Sequence, residues 1–348
     1  MAGVKEFDVR VWRSLSRKLL ILTAAVASVW AVLALYFDVR MAWLQLPAAC
    51  LYSFFVMAVA WFAQYNRKAI LLWLAGWVLI VTWWLSLAPT NTRPWQTDVA
   101  ELPFAERHAD LVTIHNVRNF VYRTETDYTP RWETRTVDLA RLQGVDLFLT
   151  HWGSPLIAHA IVSFQFRDTL ANDTYLAMSI EQRKAIGQSY STVRGFFRQY
   201  ELIYLAADER DVVRLRTNYR TGEYVRLYHT LTNPADARRL FLQYPDWMER
   251  LRTNPQWYNA LTDNCTSSVT SYLANNHVGG ISRWDWRSLF NGFGDHMLYD
   301  DGDLATGGLS FHNLSDQALI NPAAKSLGDD PNFSRDIRRG HPGFSLPR

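Results

Sequence analysis

Residues Leu19 to Phe37, Met41 to Ala63 and Ala69 to Leu87 form three apolar stretches with little between them, and none contains Asp, Glu, Lys or Arg. Each matches the length that crosses the hydrocarbon core of a bilayer, about 20 residues. The second is interrupted near its start by Gln45 and Pro47. Core helices of a soluble protein would show a polar face, and a cleaved signal peptide would not be followed by two further stretches. Trp73, Trp77, Trp83 and Trp84 in the third fit an interfacial aromatic belt, although buried packing accounts for Trp77 equally well.

The flanking charges predict an orientation. Lys5, Arg10, Arg13, Arg17 and Lys18 precede the first stretch, and Arg67 and Lys68 separate the second from the third. The loop between the first two offers only Arg40, beside Asp38. The positive-inside rule therefore assigns residues 1–18 to the cytoplasm. Three transmembrane crossings, covering 19–87, then carry the rest of the chain outside, into the periplasm if the membrane is a bacterial inner membrane. The net charge of +3 is dispersed among acids rather than gathered in a stripe, so no nucleic-acid partner is expected.

Residues 88–96, Ala-Pro-Thr-Asn-Thr-Arg-Pro-Trp-Gln, are polar and twice broken by proline and read as a linker. Residues 97–324 are long enough for one domain with its own core. From 325 to 348 the chain is rich in charge, glycine and proline, which predicts a disordered tail. Within the domain, Leu111 to Tyr122 and Arg131 to Leu139 read as strands flanking a turn, as do Val212 to Arg216 and Tyr224 to Tyr228. Helices are expected over Ala235 to Arg252 and after Cys265. The class is α+β: transmembrane helices, then an antiparallel sheet and a helix carrying the cysteine.

Only two cysteines exist, and Cys50 lies in an apolar stretch. Outside the membrane Cys265 has no disulfide partner, which makes it a candidate nucleophile. A buried thiol acting as a small hydrophobe is the plainer account. Thr262, Asp263 and Asn264 are helix-capping types, and Val269, Tyr272 and Leu273 follow at helical spacing. The thiol then sits in a first helical turn, where the dipole and free N–H groups favour thiolate and an oxyanion. Asn264 and Tyr258 are candidate oxyanion donors, with capping or packing as their ordinary roles.

A base is sought on the strands. Ile157 to Phe166 and Tyr175 to Ile180 have strand composition, joined by Arg167 to Thr174. If Phe166 pairs with Thr174 or Tyr175, antiparallel counting sets His159 opposite Glu181 or Gln182, near enough for a carboxylate to orient the ring. A one-residue slip would turn Glu181 to the other face. His151 is the competing base, without an obvious orienting acid. No histidine pair has metal-ligand spacing, so neither a metal site nor a cofactor is expected. Arg214, Arg216, Arg220 and Arg226 would suit phospholipid headgroups, but a solvated hairpin face is the blander reading.

A nucleophile at a helix start and a histidine on a strand form the layout of papain-like thiol enzymes. Here the histidine precedes the cysteine, so the arrangement would be circularly permuted. Trp152-Gly-Ser-Pro-Leu-Ile-Ala-His-Ala-Ile-Val-Ser-Phe, Ser179-Ile-Glu-Gln-Arg-Lys, Tyr200-Glu-Leu-Ile-Tyr, Ala207-Asp-Glu-Arg-Asp, Arg214-Leu-Arg-Thr-Asn-Tyr-Arg and Trp257-Tyr-Asn-Ala-Leu-Thr-Asp-Asn-Cys-Thr resemble bacterial membrane proteins that carry the Lnb N-terminal periplasmic domain. The resemblance spans about residues 110 to 290. It implies a fold related to permuted NlpC/P60 enzymes and lipoprotein N-acyltransferase chemistry, with Cys265 as nucleophile and His159 as base. Phospholipid as acyl donor and a lipoprotein amino terminus as acceptor follow from it. Two other functions fit the residues: a papain-like amidase or peptidase acting on the cell envelope, and a non-catalytic envelope-binding protein.

Overall fold

The computed structural model describes residues 2–66, 68–167, 173–260 and 291–344, and the chain divides into two units. One comprises residues 1–89 with 193–199, the other residues 90–192 with 200–348. The class is α+β: apolar helices at the N-terminus, then a domain built on a mixed sheet.

The first unit contains α1 (Ala2–Asp38), α2 (Ala42–Phe62) and α3 (Ala69–Leu85). Leu15–Asp38 and Ala42–Phe62 are long and apolar enough to cross a membrane, while α3 is shorter at 17 residues. Many large side chains are exposed, among them Leu19, Ile21, Trp43, Phe54 and Leu79, as helices solvated by lipid require. An indole N–H has no partner in hydrocarbon, and three tryptophans of α3 find one on α1. Trp73 donates to Ser28 Oγ at 2.9 Å, Trp77 to the Ala27 carbonyl at 3.2 Å and Trp84 to Asp38 Oδ2 at 2.7 Å. Packing rather than an interfacial belt thus explains Trp77. Gly76 lies flat against the Phe55 ring, where a Cβ would come within 2.7 Å of a ring carbon.

The second unit is built on a sheet whose eight strands, among the described residues, run β1 (Phe104–His108), β2 (Leu111–Arg118), β9 (Glu201–Ala207), β8 (Asp173–Arg183), β7 (Ser154–Arg167), β6 (Leu142–Trp152) and β10 (Glu223–His229), with β5 (Trp132–Asp138) also on β2. Only the β2–β9 contact is parallel, so the sheet expected to be antiparallel is mixed. A small hairpin, β3 (Val121–Tyr122) with β4 (Tyr128–Thr129), occupies the turn between β2 and β5.

Both faces of the central strands are covered. The amphipathic α5 (Pro234–Thr253) sets Leu240, Phe241, Tyr244 and Met248 against Leu149, Val162, Phe164, Met178 and Tyr204. Asn233 caps it by accepting from Asp236 N at 3.0 Å. The opposite face, with Phe148, Ile161 and Leu205, is covered by Val212 and Val213, by Ile320 and Ala324, and by Phe333 and Ile337. A strand buried on both faces reads as a continuous apolar run, which is how β9 looks in the sequence.

Three expectations change. Val212 to Arg216 is not a strand: Glu209–Arg214 forms α4, capped by Asp208, and a π turn over Leu215–Tyr219 follows. The local β-branched content favours a strand, but the Asp208 cap and the sheet face below favour a helix. Residues 325–348 are not a disordered tail as far as Phe344. Asn321–Leu327 and Phe333–Asp336 are helical, and Arg338 is buried between Asp146 and Glu209. Its Nε lies 2.8 Å from Asp146, and its two Nη atoms 2.9 and 2.7 Å from Glu209. Finally, the linker over 88–96 is anchored from Thr90 onward. Arg183 stacks on Trp95 at 4.2 Å, and Arg93 pairs with Glu201 at 2.9 Å.

Arg338 joins the last helical segment to β6 and α4, and removing it leaves two buried carboxylates without their cation. Arg338→Ala is expected to cost about 3–5 kcal/mol, the usual penalty for breaking a buried pair from one side. Thermal melts of the full chain in detergent should show a large drop for Arg338→Ala and little change for Arg335→Ala, whose side chain is exposed.

Candidate functional site

The site is set by strand register. β7 pairs with β8 so that Phe166 faces Thr174 and Ile161 faces Ser179. Continuing that register by two residues sets His159 opposite Glu181, and on the other side Thr150 of β6 pairs with His159. Strand alternation then sends Gln182 to the opposite face, which removes it as the orienting group.

His159 Nε2 lies 3.4 Å from Glu181 Oε1. The same oxygen accepts a hydrogen bond from Ser179 Oγ at 3.0 Å, two residues away on the same face. Arg216 Nη2 approaches it at 3.6 Å, while Nη1 of the same guanidinium is 3.1 Å from Glu223 Oε2. Glu223 is in turn 3.3 Å from Arg220 Nη1, and Arg220 Nε is 3.2 Å from Glu125. Arg118 faces the same region from β2 and is saturated by a two-pronged contact with Asp211. A histidine, its carboxylate and a chain of alternating charges thus run from β7 out to the exposed Glu125.

Burial alone would push the Glu181 carboxyl up. The His159 ring, then the guanidiniums of Arg216 and Arg118, outweigh it and hold the group well below the usual carboxylate range. With Nε2 turned to a carboxylate that stays ionised, the imidazole is oriented.

Cys265 and Asn264 lie outside the described residues. Tyr258 is half-buried against the α5 side of the core, and its backbone N–H donates to the Tyr200 carbonyl at 3.0 Å. His151 Nε2 sits 3.0 Å from the Gly292 carbonyl. A carbonyl only accepts, so that nitrogen carries a proton, and His151 is held by backbone rather than by an acid. Gly292 approaches β7 so closely that a Cβ would come within 2.0 Å of the Pro155 carbonyl. The arginines considered for headgroups are committed elsewhere: Arg214 pairs with Asp329, Arg216 and Arg220 lie in the charge chain, and Arg226 bonds the Ser315 carbonyl. Reading them as a solvated hairpin face is also set aside, because Arg214 and Arg216 are buried. Sequence reasoning does not single out Ser179 or Arg118; only their places in the register mark them. Among the described residues no group of three or more His, Cys, Asp or Glu is arranged to hold a metal ion.

Apolar helices followed by a mixed-sheet domain with a histidine–carboxylate pair define a membrane-associated protein of the α+β class. Residues 128–292 match the family model of the Lnb N-terminal periplasmic domain, a stretch that takes in most of the sheet and α5. No curated protein and no solved structure matches the chain significantly.

The depressed carboxyl makes a pH prediction. An acid whose folded value lies below its unfolded one, about 4.3, stabilises the protein above that pH. The contribution disappears as pH falls through the folded value. The melting temperature of wild type relative to Glu181→Gln should therefore decline steadily as pH falls below about 4.5. A difference that is flat down to pH 3 would show that the carboxyl is not held down by its neighbours.

Proposed function

We propose that this protein is a membrane-anchored thiol acyltransferase whose domain faces the periplasm. Cys265 is the nucleophile, His159 the base, and Glu181 the group that orients the base. The observation that carries the reading is the 3.4 Å contact between His159 and Glu181, inside a stretch matched by a periplasmic domain family and in a chain with one cysteine outside its apolar helices. The permuted papain-like relation implied by the sequence motifs supports it.

Because Nε2 faces Glu181, Nδ1 is the atom that takes the thiol proton. The sulfur attacks the carbonyl carbon of an ester, and the tetrahedral oxyanion is held by N–H groups at the helix start. Collapse breaks the ester C–O bond, the imidazolium returns its proton to the leaving alkoxide, and a thioester remains on Cys265. An amine then attacks the thioester, gives a proton to His159 and forms an amide as the thiol is restored. Anchoring at a bilayer favours phospholipid as donor and a lipoprotein amino terminus as acceptor. With water as acceptor the same site is a hydrolase.

Incubation of the detergent-solubilised chain with phospholipid vesicles should leave a hydroxylamine-labile acyl mass on Cys265. It should be absent in Cys265→Ser and reduced at least about a hundredfold in His159→Ala, the usual scale for a lost acid–base group. No adduct with phospholipid, but an adduct or turnover with envelope peptides, would replace acyl transfer by amide hydrolysis. No adduct with either would leave a binding role. For the topology, alkaline phosphatase fused after Pro94 is expected to be active and a cytoplasm-only reporter at the same position silent. The reverse pattern removes the periplasmic assignment.

A further inference from the structure

We propose that Arg216 is the positioning residue of the thiol–imidazole couple, clamping the Glu181 carboxylate in place against His159. The inference rests on the reading of Cys265 and His159 given above and extends it to a group that contacts neither. Three groups converge on one oxygen, Glu181 Oε1: Ser179 Oγ donates to it at 3.0 Å, and His159 Nε2 and Arg216 Nη2 lie 3.4 and 3.6 Å away. Ser179 shares the strand of Glu181 and fixes the carboxylate only locally. Arg216 comes from a different element, and its other Nη is tied to Glu223 on β10 at 3.1 Å. The guanidinium therefore braces Glu181 against the far side of the sheet.

The backbone at Arg216 is also unusual. It lies in a five-residue π turn, Leu215–Tyr219, where the wider coil alters the direction of the side chains that follow α4. Such turns recur at functional sites. The Arg216 side chain is 7 % exposed, so a planar fork with two separate Nη contacts is held with little solvent screening. The charged groups facing Glu181 are His159 from β7, Arg216 from the π turn and Arg118 from β2. Arg118 is already matched by Asp211, and Arg216 is the cation in direct reach of the carboxylate.

The test is site-resolved alkylation of Cys265 by iodoacetamide in the detergent-solubilised full chain from pH 5 to 8. Wild type is compared with His159→Ala, Glu181→Gln, Arg216→Met, Arg216→Lys and the double variant Glu181→Gln with Arg216→Met. Partners that orient an imidazole from behind cost about 10- to 100-fold when lost, so Arg216→Met should slow labelling at pH 6 by at least about tenfold. Its acid limb should move to higher pH, because a Glu181 released from Arg216 binds its proton sooner. Lysine keeps the charge without the fork, and Arg216→Lys should fall between. In the Glu181→Gln background the loss of Arg216 should change nothing further.

That non-additivity, with melting curves close to wild type, supports the proposal. Full additivity in the double variant overturns it, since Arg216 would then act independently of Glu181. Wild-type labelling in Arg216→Met, with labelling slowed in His159→Ala, overturns the role of Arg216 and leaves the couple standing. Unchanged labelling in His159→Ala overturns both. If Arg216→Met does not fold because Glu181 is left without its cation, Arg216→Lys and the double variant, where that charge is gone, separate the same outcomes.

Discussion

The constraint on which the domain depends is that β6 to β9 are buried on both faces. A polar side chain there must find its partner within the protein, since an unmatched buried charge costs several kcal/mol. The face opposite α5 carries two polar rows. His229, Asp146 and Ser163 form one, with Glu209 and Arg338 above it; Thr150, His159 and Glu181 form the other, with Arg216 above it. Leu227, Phe148, Ile161 and Leu205 form a largely apolar rung between them, with Ser179 interposed between Ile161 and Leu205. The two rows solve the same electrostatic problem differently. In the first, Arg338 meets both carboxylates, stacks on Tyr175 at 3.9 Å and fastens the end of the chain. In the second, Arg216 approaches a single carboxylate, Glu181, at 3.6 Å, and in both rows a histidine is a further partner of the carboxylate, His229 of Asp146 at 2.7 Å and His159 of Glu181 at 3.4 Å.

What was legible in the sequence follows from which interactions are local. The β7–β8 hairpin has a short connection, so one closing pair fixes every later one: counting back from Phe166 leaves Glu181 or Gln182 opposite His159, and the observed Phe166–Thr174 pair decides for Glu181. The apolar helices and α5 were legible because length and 3.6-residue periodicity leave few alternatives. The path of the chain end was not. Arg338 is separated from Asp146 by 192 residues and from Glu209 by 129, and no local pattern encodes a pairing across such distances. A segment with Leu327, Phe333, Ile337 and Phe344 scattered among charges, glycine and proline reads as disordered until the face they cover is known.

Arg216 was hidden for a related reason. Val212, Val213 and Leu215 are apolar residues that suit a strand, and a strand would have sent alternate residues to solvent, making Arg216 a surface group. Instead Asp208 caps a helix, both valines drop onto the sheet and the π turn carries Arg216 inward. The signal in the sequence was Asp208 itself, a capping residue directly after the all-buried strand β9. Local propensity lost to the need to cover the Phe148–Ile161–Leu205 rung.

The charge chain behind His159 bears on why that residue suits a base. Glu181, Glu223 and Glu125 are linked in turn by Arg216 and Arg220, so among the described residues three carboxylates face two guanidiniums. Arg118 with Asp211 is a neutral pair beside them. The chain is therefore one positive charge short when the imidazole is neutral, and an imidazolium at His159 completes it. The His159 ring, then Arg216 and Arg118, keep Glu181 ionised against the cost of burial, so the carboxylate that orients the ring stays an acceptor for it.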